Sequence, residues 1–152
     1  MLLQNLFMFN NNKDFDVDLA KGQRNEKRIA DILGLGEDKI EIKTEYNFWQ
    51  KSGNLCIELE SYKKPSGLKS TKAKYWVQSF NCGETIIGFT AVPVPILKKI
   101  VSKFLLKNKK RKHEVIRMLG DNNASKCVLI PMTEFIDLWR SIEIKNQSTK
   151  AN

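Results

Sequence analysis

Two short stretches, residues 40–45 (IEIKTE) and 55–60 (LCIELE), constrain the fold of this chain more than any other feature. In the first, Ile40 and Ile42 alternate with Glu41, Lys43 and Glu45; in the second, Leu55, Ile57 and Leu59 alternate with Cys56, Glu58 and Glu60. Side chains of a strand point to opposite faces with period two, so each stretch reads as a strand with one apolar and one charged face. Lys51-Ser52-Gly53-Asn54 supplies turn residues between them, and the expectation is an antiparallel hairpin. With Glu45 opposite Glu58, Lys43 falls opposite Glu60, and three acids and a lysine share one patch. Like charges that close are costly unless something positive sits among them, and a divalent metal is the obvious candidate.

The remaining segments predict helices packed on a mixed sheet, an α/β (α+β) architecture in one domain over residues 1–145. A helix is expected over residues 23–33, ended by Gly34 as its C-cap. Its apolar stripe is Ile29, Ala30 and Leu33, and stepping back three and four residues puts Glu26 on that stripe. Glu26 then lies near the hairpin's acids, or serves simply as a first-turn glutamate favoured by the helix dipole. Residues 10–18, with Asp14, Asp16 and Asp18, read as a solvated loop or short strand. They lack the other ligands and the glycine of a calcium loop. Pro65-Ser66-Gly67 marks a turn, after which Ser70 or Thr71 caps a helix with Ala73, Trp76, Val77 and Phe80 inward.

Residues 85–92 (TIIGFTAV) predict a strand buried on both faces. Pro93 and Pro95 open a helix with Leu97, Ile100, Val101, Phe104 and Leu105 on its core face, running into the basic tract KNKKRKH at 107–113. KCVLI is a second buried strand, and a last amphipathic helix faces Phe135, Leu138, Trp139 and Ile142 inward. Residues 146–152 are expected to be a disordered tail, and the apolar start MLLQNLFMF a packed element or a docking segment.

Charge decides the class of partner. Among 152 residues the net charge is +9 and the pI about 9.5, which favours polyanions. Lys63, Lys64, Lys69, Lys72 and Lys74 crowd the exit of the acidic strand, where a phosphodiester backbone can be gripped. Taken alone, such a run is usually a solvated face. The single histidine, His113, and three scattered cysteines exclude a zinc site of the usual Cys/His kind. A serine triad would have to use His113, which stands in a lysine run. An odd number of free thiols suits a reducing cytoplasm. No stretch approaches membrane-spanning length, so no membrane partner is expected.

A cluster of Glu26, Glu45, Glu58 and Glu60 offers oxygen ligands only, which select magnesium or manganese. Such ions polarise a phosphoryl oxygen and acidify a bound water, so metal-assisted phosphodiester hydrolysis is the coherent expectation.

A helix glutamate, an acid on one strand and a following strand that ends in E-x-E resembles the PD-(D/E)XK nuclease superfamily. More narrowly, EIKTE, SGNLCIELESYKKPSG, TKAKYW and the late GDNNASKCVLIP are similar to small phage-type, Holliday-junction-resolvase-like endonucleases, over roughly residues 18–137. The resemblance implies a restriction-endonuclease-like core, Glu26 as the helix acid, and Glu45 and Glu58 as metal ligands. It also implies DNA as substrate and a homodimer. Two departures stand out. Glu45 occupies a position where aspartate is usual, and Glu60 one where lysine is common. The lysine role then passes to a second metal or another residue, with Lys43 first and Lys74 second. A rival register makes Glu41 the first acid, with Glu41-x-Lys43 as a decoy of the motif. A protein that kept the fold but lost the activity, binding nucleic acid only, is the alternative.

Overall fold

A computed structural model of the chain describes residues 11–36, 39–45 and 48–150. In order these form helix α1 (Asn11–Leu33), strand β1 (Ile40–Glu45), a short helix α2 (Phe48–Ser52), β2 (Asn54–Ser61), β3 (Lys64–Pro65), β4 (Tyr75–Cys82) and β5 (Thr85–Pro93). Then follow α3 (Val94–Lys107), α4 (Lys112–Val115), β6 (Ile116–Leu119), β7 (Ser125–Pro131) and α5 (Met132–Lys150). The strands make two sheets: a mixed one ordered β1-β4-β5 and an antiparallel one ordered β3-β2-β7-β6. The protein is thus mixed α/β with helices flanking its sheets. The apolar segment before Asn11, offered above as a docking element, lies outside the described residues.

The expected hairpin does not form. β1 pairs in parallel with β4, Lys43 meeting Gln78 and Glu45 meeting Phe80. β2 pairs antiparallel with β7, Glu58 meeting Cys127 and Glu60 meeting Lys126. The helical turn α2 replaces a tight connection, so the chain crosses from one sheet to the other. Each strand still buries the apolar face that its alternation promised. Ile40 joins Ile29, Ala30 and Val77 under α1. Leu55, Ile57 and Leu59 join Trp76, Phe80, Val128, Ile130 and the inner faces of α3 and α5.

Four further expectations change. Residues 75–82 are a strand, not a helix; β4 is the centre of its sheet and buried on both faces. A strand with no solvent face has no alternation to betray it, and the Ala73-Trp76-Val77-Phe80 spacing then imitates a helical stripe. β5, expected to be buried on both faces, is an edge strand in which only Val92 is buried. The described part of α1 starts at Asn11, so residues 11–18 are helical and not a loop or short strand. α5 continues to Lys150, so residues 146–150 of the expected tail are helical. The helix over 94–107, the strand over 126–130 and the inward-facing Phe135 and Ile142 are as expected. Gly34 ends α1 at φ +61°, with Leu35 N–H bonded to Ala30 O at 3.2 Å, a left-handed cap.

Candidate carboxylate site

The charged face of β1 turns toward the side of its sheet that carries Trp76, Gln78 and Phe80 on β4. Gln78 is 1% exposed, and burying an amide is costly unless its polar atoms are partnered. Its Oε1 accepts the Trp76 indole N–H at 3.1 Å, and its Nε2 donates to Glu45 Oε1 at 2.9 Å. The backbone N–H of Cys56 also donates to the Glu45 carboxylate, which ties the end of β1 to β2 across the gap between the sheets. Both hydrogen bonds favour the anion, yet burial outweighs them and raises the Glu45 pKa from 4.5 to about 7. Beside it, Trp49 of α2 packs on Phe80 with ring centroids 5.2 Å apart. The Trp49 indole N–H is buried with no acceptor among the described residues.

Across the gap, β2 carries its acids on the face opposite Leu55, Ile57 and Leu59. Glu58 accepts hydrogen bonds from Ser66 Oγ at 2.6 Å and from Ser125 Oγ at 3.0 Å. Ser66 is delivered by a 3-10 turn (Gly67–Lys69) that lies directly on β2. There Gly67 has φ +50°, and a Cβ on it would stand 2.5 Å from the Glu58 carbonyl oxygen. Glycine alone satisfies both the dihedral and the close approach. Glu60, half-buried, is bonded by Lys69 and lies 3.6 Å from Lys126 Nζ; those two lysines lower its pKa, Lys69 foremost.

Cys56 and Cys127 bridge these two groups of acids. The neighbouring Cys127 thiol is the first cause that pushes the Cys56 thiol up. Burial and the charges of Cys127, Glu45 and Glu58 add to it. Lys43 pulls the Cys127 thiol the other way, behind the Cys56 thiol that chiefly lowers it. Glu45, Glu58 and Lys43 therefore all lie within electrostatic reach of one thiol pair.

The expected patch is brought together only in part. Glu26 is exposed and lines a separate cleft on the open edge of β1, with Ile40, Glu41, Ile42 and Lys43. The buried face of α1 is centred on Asn25 and Ile29, one residue off the stripe that Glu26 was placed on. Lys43 does not face Glu60. Its Nζ lies 3.1 Å from Glu41 and 5.8 Å from the centroid of the Trp76 ring. Lys63, Lys64, Lys69, Lys72 and Lys74 are all exposed, Lys63 and Lys64 on the tight β2–β3 turn, where Tyr62 and Lys63 both have positive φ.

Among the described residues, no group of three or more His, Cys, Asp or Glu side chains is arranged to hold a metal ion. Magnesium asks less of a protein, taking one or two carboxylates and completing its shell with water. Glu45 and Glu58 can supply that pair, and a desolvated carboxylate such as Glu45 gains most from a nearby cation. The four residues that complete the surroundings, Gln78, Ser66, Ser125 and Lys126, carried no signal in the sequence. Each becomes visible only once β4, β7 and the 3-10 turn are paired with their neighbours. No protein family, curated protein or solved structure matches this chain.

Proposed function

We propose that the protein is a metal-dependent DNA endonuclease with a restriction-endonuclease-like core, acting as a homodimer in a reducing cytoplasm. The observation that carries the reading is Glu45, a strand-end carboxylate that burial raises to a pKa of about 7, with Glu58 acting on the same Cys56 thiol. Glu45 and Glu58 are the residues that would hold magnesium or manganese. When bound, the ion supplies charge that stabilises a phosphoryl transition state and lowers the pKa of water in its shell. Lys43 and the Lys69–Lys126 pair supply positive charge on either flank of the gap. Lys63, Lys64, Lys72 and Lys74 extend a basic surface for backbone phosphates.

The test has two readouts. Supercoiled plasmid and branched DNA are incubated with magnesium or manganese, comparing wild type with Glu45→Gln and Glu58→Gln. Cleavage by the wild type and a loss of at least about 100-fold in both variants is expected, the scale of one catalytic group. Separately, magnesium at pH 8 should raise the wild-type melting temperature and leave Glu45→Gln unmoved. A wild type inert on every DNA form, with no metal-dependent shift, would sink the reading.

A second reading has its own observation: both oxygens of Glu58 are taken by hydroxyls and Glu60 by two lysines. Acids so satisfied suit a protein that binds nucleic acid without cutting it. That reading expects salt-sensitive DNA binding indifferent to magnesium and to Glu58→Ala.

A further inference from the structure

On the far side of the β1-β4-β5 sheet from Glu45, α1 covers a ring of buried polar side chains. Asn25 is 5% exposed, Asn81 2% and Ser79 fully buried. Asn25 Nδ2 donates to Thr44 Oγ1 at 2.9 Å and to Ser79 Oγ at 3.4 Å. Ser79 Oγ donates to Asn81 Oδ1 at 2.7 Å, and Asn81 Nδ2 closes the ring on Asn25 Oδ1 at 3.4 Å. Four polar groups inside an otherwise apolar interface are costly to bury, and a ring of this kind fixes each amide in one orientation. Nothing in the carboxylate site uses it.

The ring does not end in the core. Asn25 and Asn81 line a small pocket whose rim is Lys21, Arg24 and Arg28 on α1 and Glu84 at the β4–β5 turn. Lys21, Arg24, Asn25 and Arg28 follow the i, i+3, i+4, i+7 spacing of one helix face, so three cations crowd the mouth above the two asparagines. Like charges at that spacing disfavour the helix. Against the three, Glu84 is the one acid among the residues that line the pocket. An amide nitrogen carries two hydrogens, and Asn81 Nδ2 gives one to Asn25. Its second N–H belongs to a residue that forms the pocket wall. One fixed neutral donor at the base and guanidinium forks at the rim are the two elements of phosphate recognition.

We infer that this pocket binds a phosphate dianion, held by Arg24, Arg28 and Lys21 at the rim and by the second Nδ2 hydrogen of Asn81 at its base. The site is separate from the carboxylate gap, and the inference does not rest on nuclease activity. A phosphate of this charge comes either free in solution or as the terminal phosphate of a nucleic acid strand.

The experiment follows the side-chain amide resonances of Asn25 and Asn81 while inorganic phosphate is titrated, with chloride at matched ionic strength as control. Saturable shifts with phosphate and none with chloride are expected, and the paired variant Arg24→Gln/Arg28→Gln should weaken phosphate at least tenfold. Both arginines are exposed, so the variant should fold; its amide spectrum checks that. A single-stranded oligonucleotide with a 5′-phosphate and the same strand with a 5′-hydroxyl then separate the sources. A preference for the phosphorylated strand that the variant loses assigns a strand end. Shifts with inorganic phosphate and equal binding of the two strands assign the free anion. Amides that respond to phosphate no more than to chloride, or a variant that binds as the wild type does, overturn the site.

Discussion

Glu45 and Glu60 are both strand glutamates on a charged face, yet they sit in opposite electrostatic states. Glu60 is paired with Lys69 and Lys126 at the surface, and its pKa is lowered. Glu45 is partly desolvated, held by an amide and a backbone N–H, and its pKa rises to about 7. Neutral donors do not repay the burial of a charge; two lysines at the surface outweigh the partial burial of Glu60. The contrast separates an acid that is merely satisfied from one that still lacks a counter-charge. Glu58 lies between the two, with both oxygens satisfied by neutral hydroxyls.

The sharpest way to break this contrast is to dislodge the turn that serves the β2 side. In Gly67→Ala the new Cβ meets the Glu58 backbone at 2.5 Å in a left-handed conformation. A loss of about 2–4 kcal/mol is expected, in the range of severe backbone and packing strain. Ser66 would leave Glu58 and Lys69 would leave Glu60. Urea unfolding reads the loss as a lower midpoint at unchanged slope. A midpoint within error of wild type would mean that the turn is not held against β2.

Next in size is Gln78→Leu, which acts on Glu45 alone. It strands both the Trp76 indole N–H and Glu45 Oε1, at a cost of about 1–3 kcal/mol. Removing a donor to the anion also raises the Glu45 pKa further. Carboxyl resonances followed by NMR across pH 5–9, a span of about two units around neutrality, check the direction. An unchanged titration would show that Gln78 is not a partner of that carboxylate.

These two residues also mark how far the sequence could be read. The alternation of Ile40 with Glu41, and of Leu55 with Cys56, identified two strands and their inner faces correctly. It said nothing of which strand would lie beside which, because period-two patterning fixes a face and not a neighbour. Gln78 was hidden for a related reason: it lies on β4, where burial on both faces erases alternation. Ser66 and Ser125 are ordinary turn and strand residues until Gly67 and β7 bring them to Glu58. The candidate acids Glu45, Glu58 and Glu60 were legible as residues; their partners were not. Glu26 failed by a single residue of helical phase, since Asn25 took the inward position.

The pH dependence sharpens the comparison, because the two acids act with opposite sign. Glu45 has a folded pKa of about 7 above an unfolded 4.5, so between those values the native state holds a proton that the unfolded state releases. Its contribution to stability therefore falls as pH rises through that window, and is flat above it. Allowing for solvent screening of a partly exposed carboxyl, the loss is on the order of 1–2 kcal/mol. Glu45→Gln keeps the hydrogen-bonding shape without the charge, so it should gain on wild type from pH 5 to pH 8, a window set by those two pKa values. Melting temperatures measured at both ends test it. Parallel curves for the two proteins would place Glu45 in water.

The smallest expected effect is at Glu60, and its smallness is what the comparison requires. Its lowered folded pKa means that its contribution is present above the unfolded carboxylate range and lost as pH falls through the folded value. A surface ion pair contributes little, because water replaces the lost lysines and salt screens them. Glu60→Gln should therefore blunt the acid limb of the stability curve slightly at low ionic strength. The difference should vanish in about 1 M salt, where the screening length is about 3 Å. Glu45→Gln behaves otherwise, since its term arises from burial, which salt does not screen. Denaturation curves of the two variants at low and high salt compare the mechanisms directly. If salt abolished the Glu45 effect as well, both acids would be governed by surface charge, and the distinction between them would be lost.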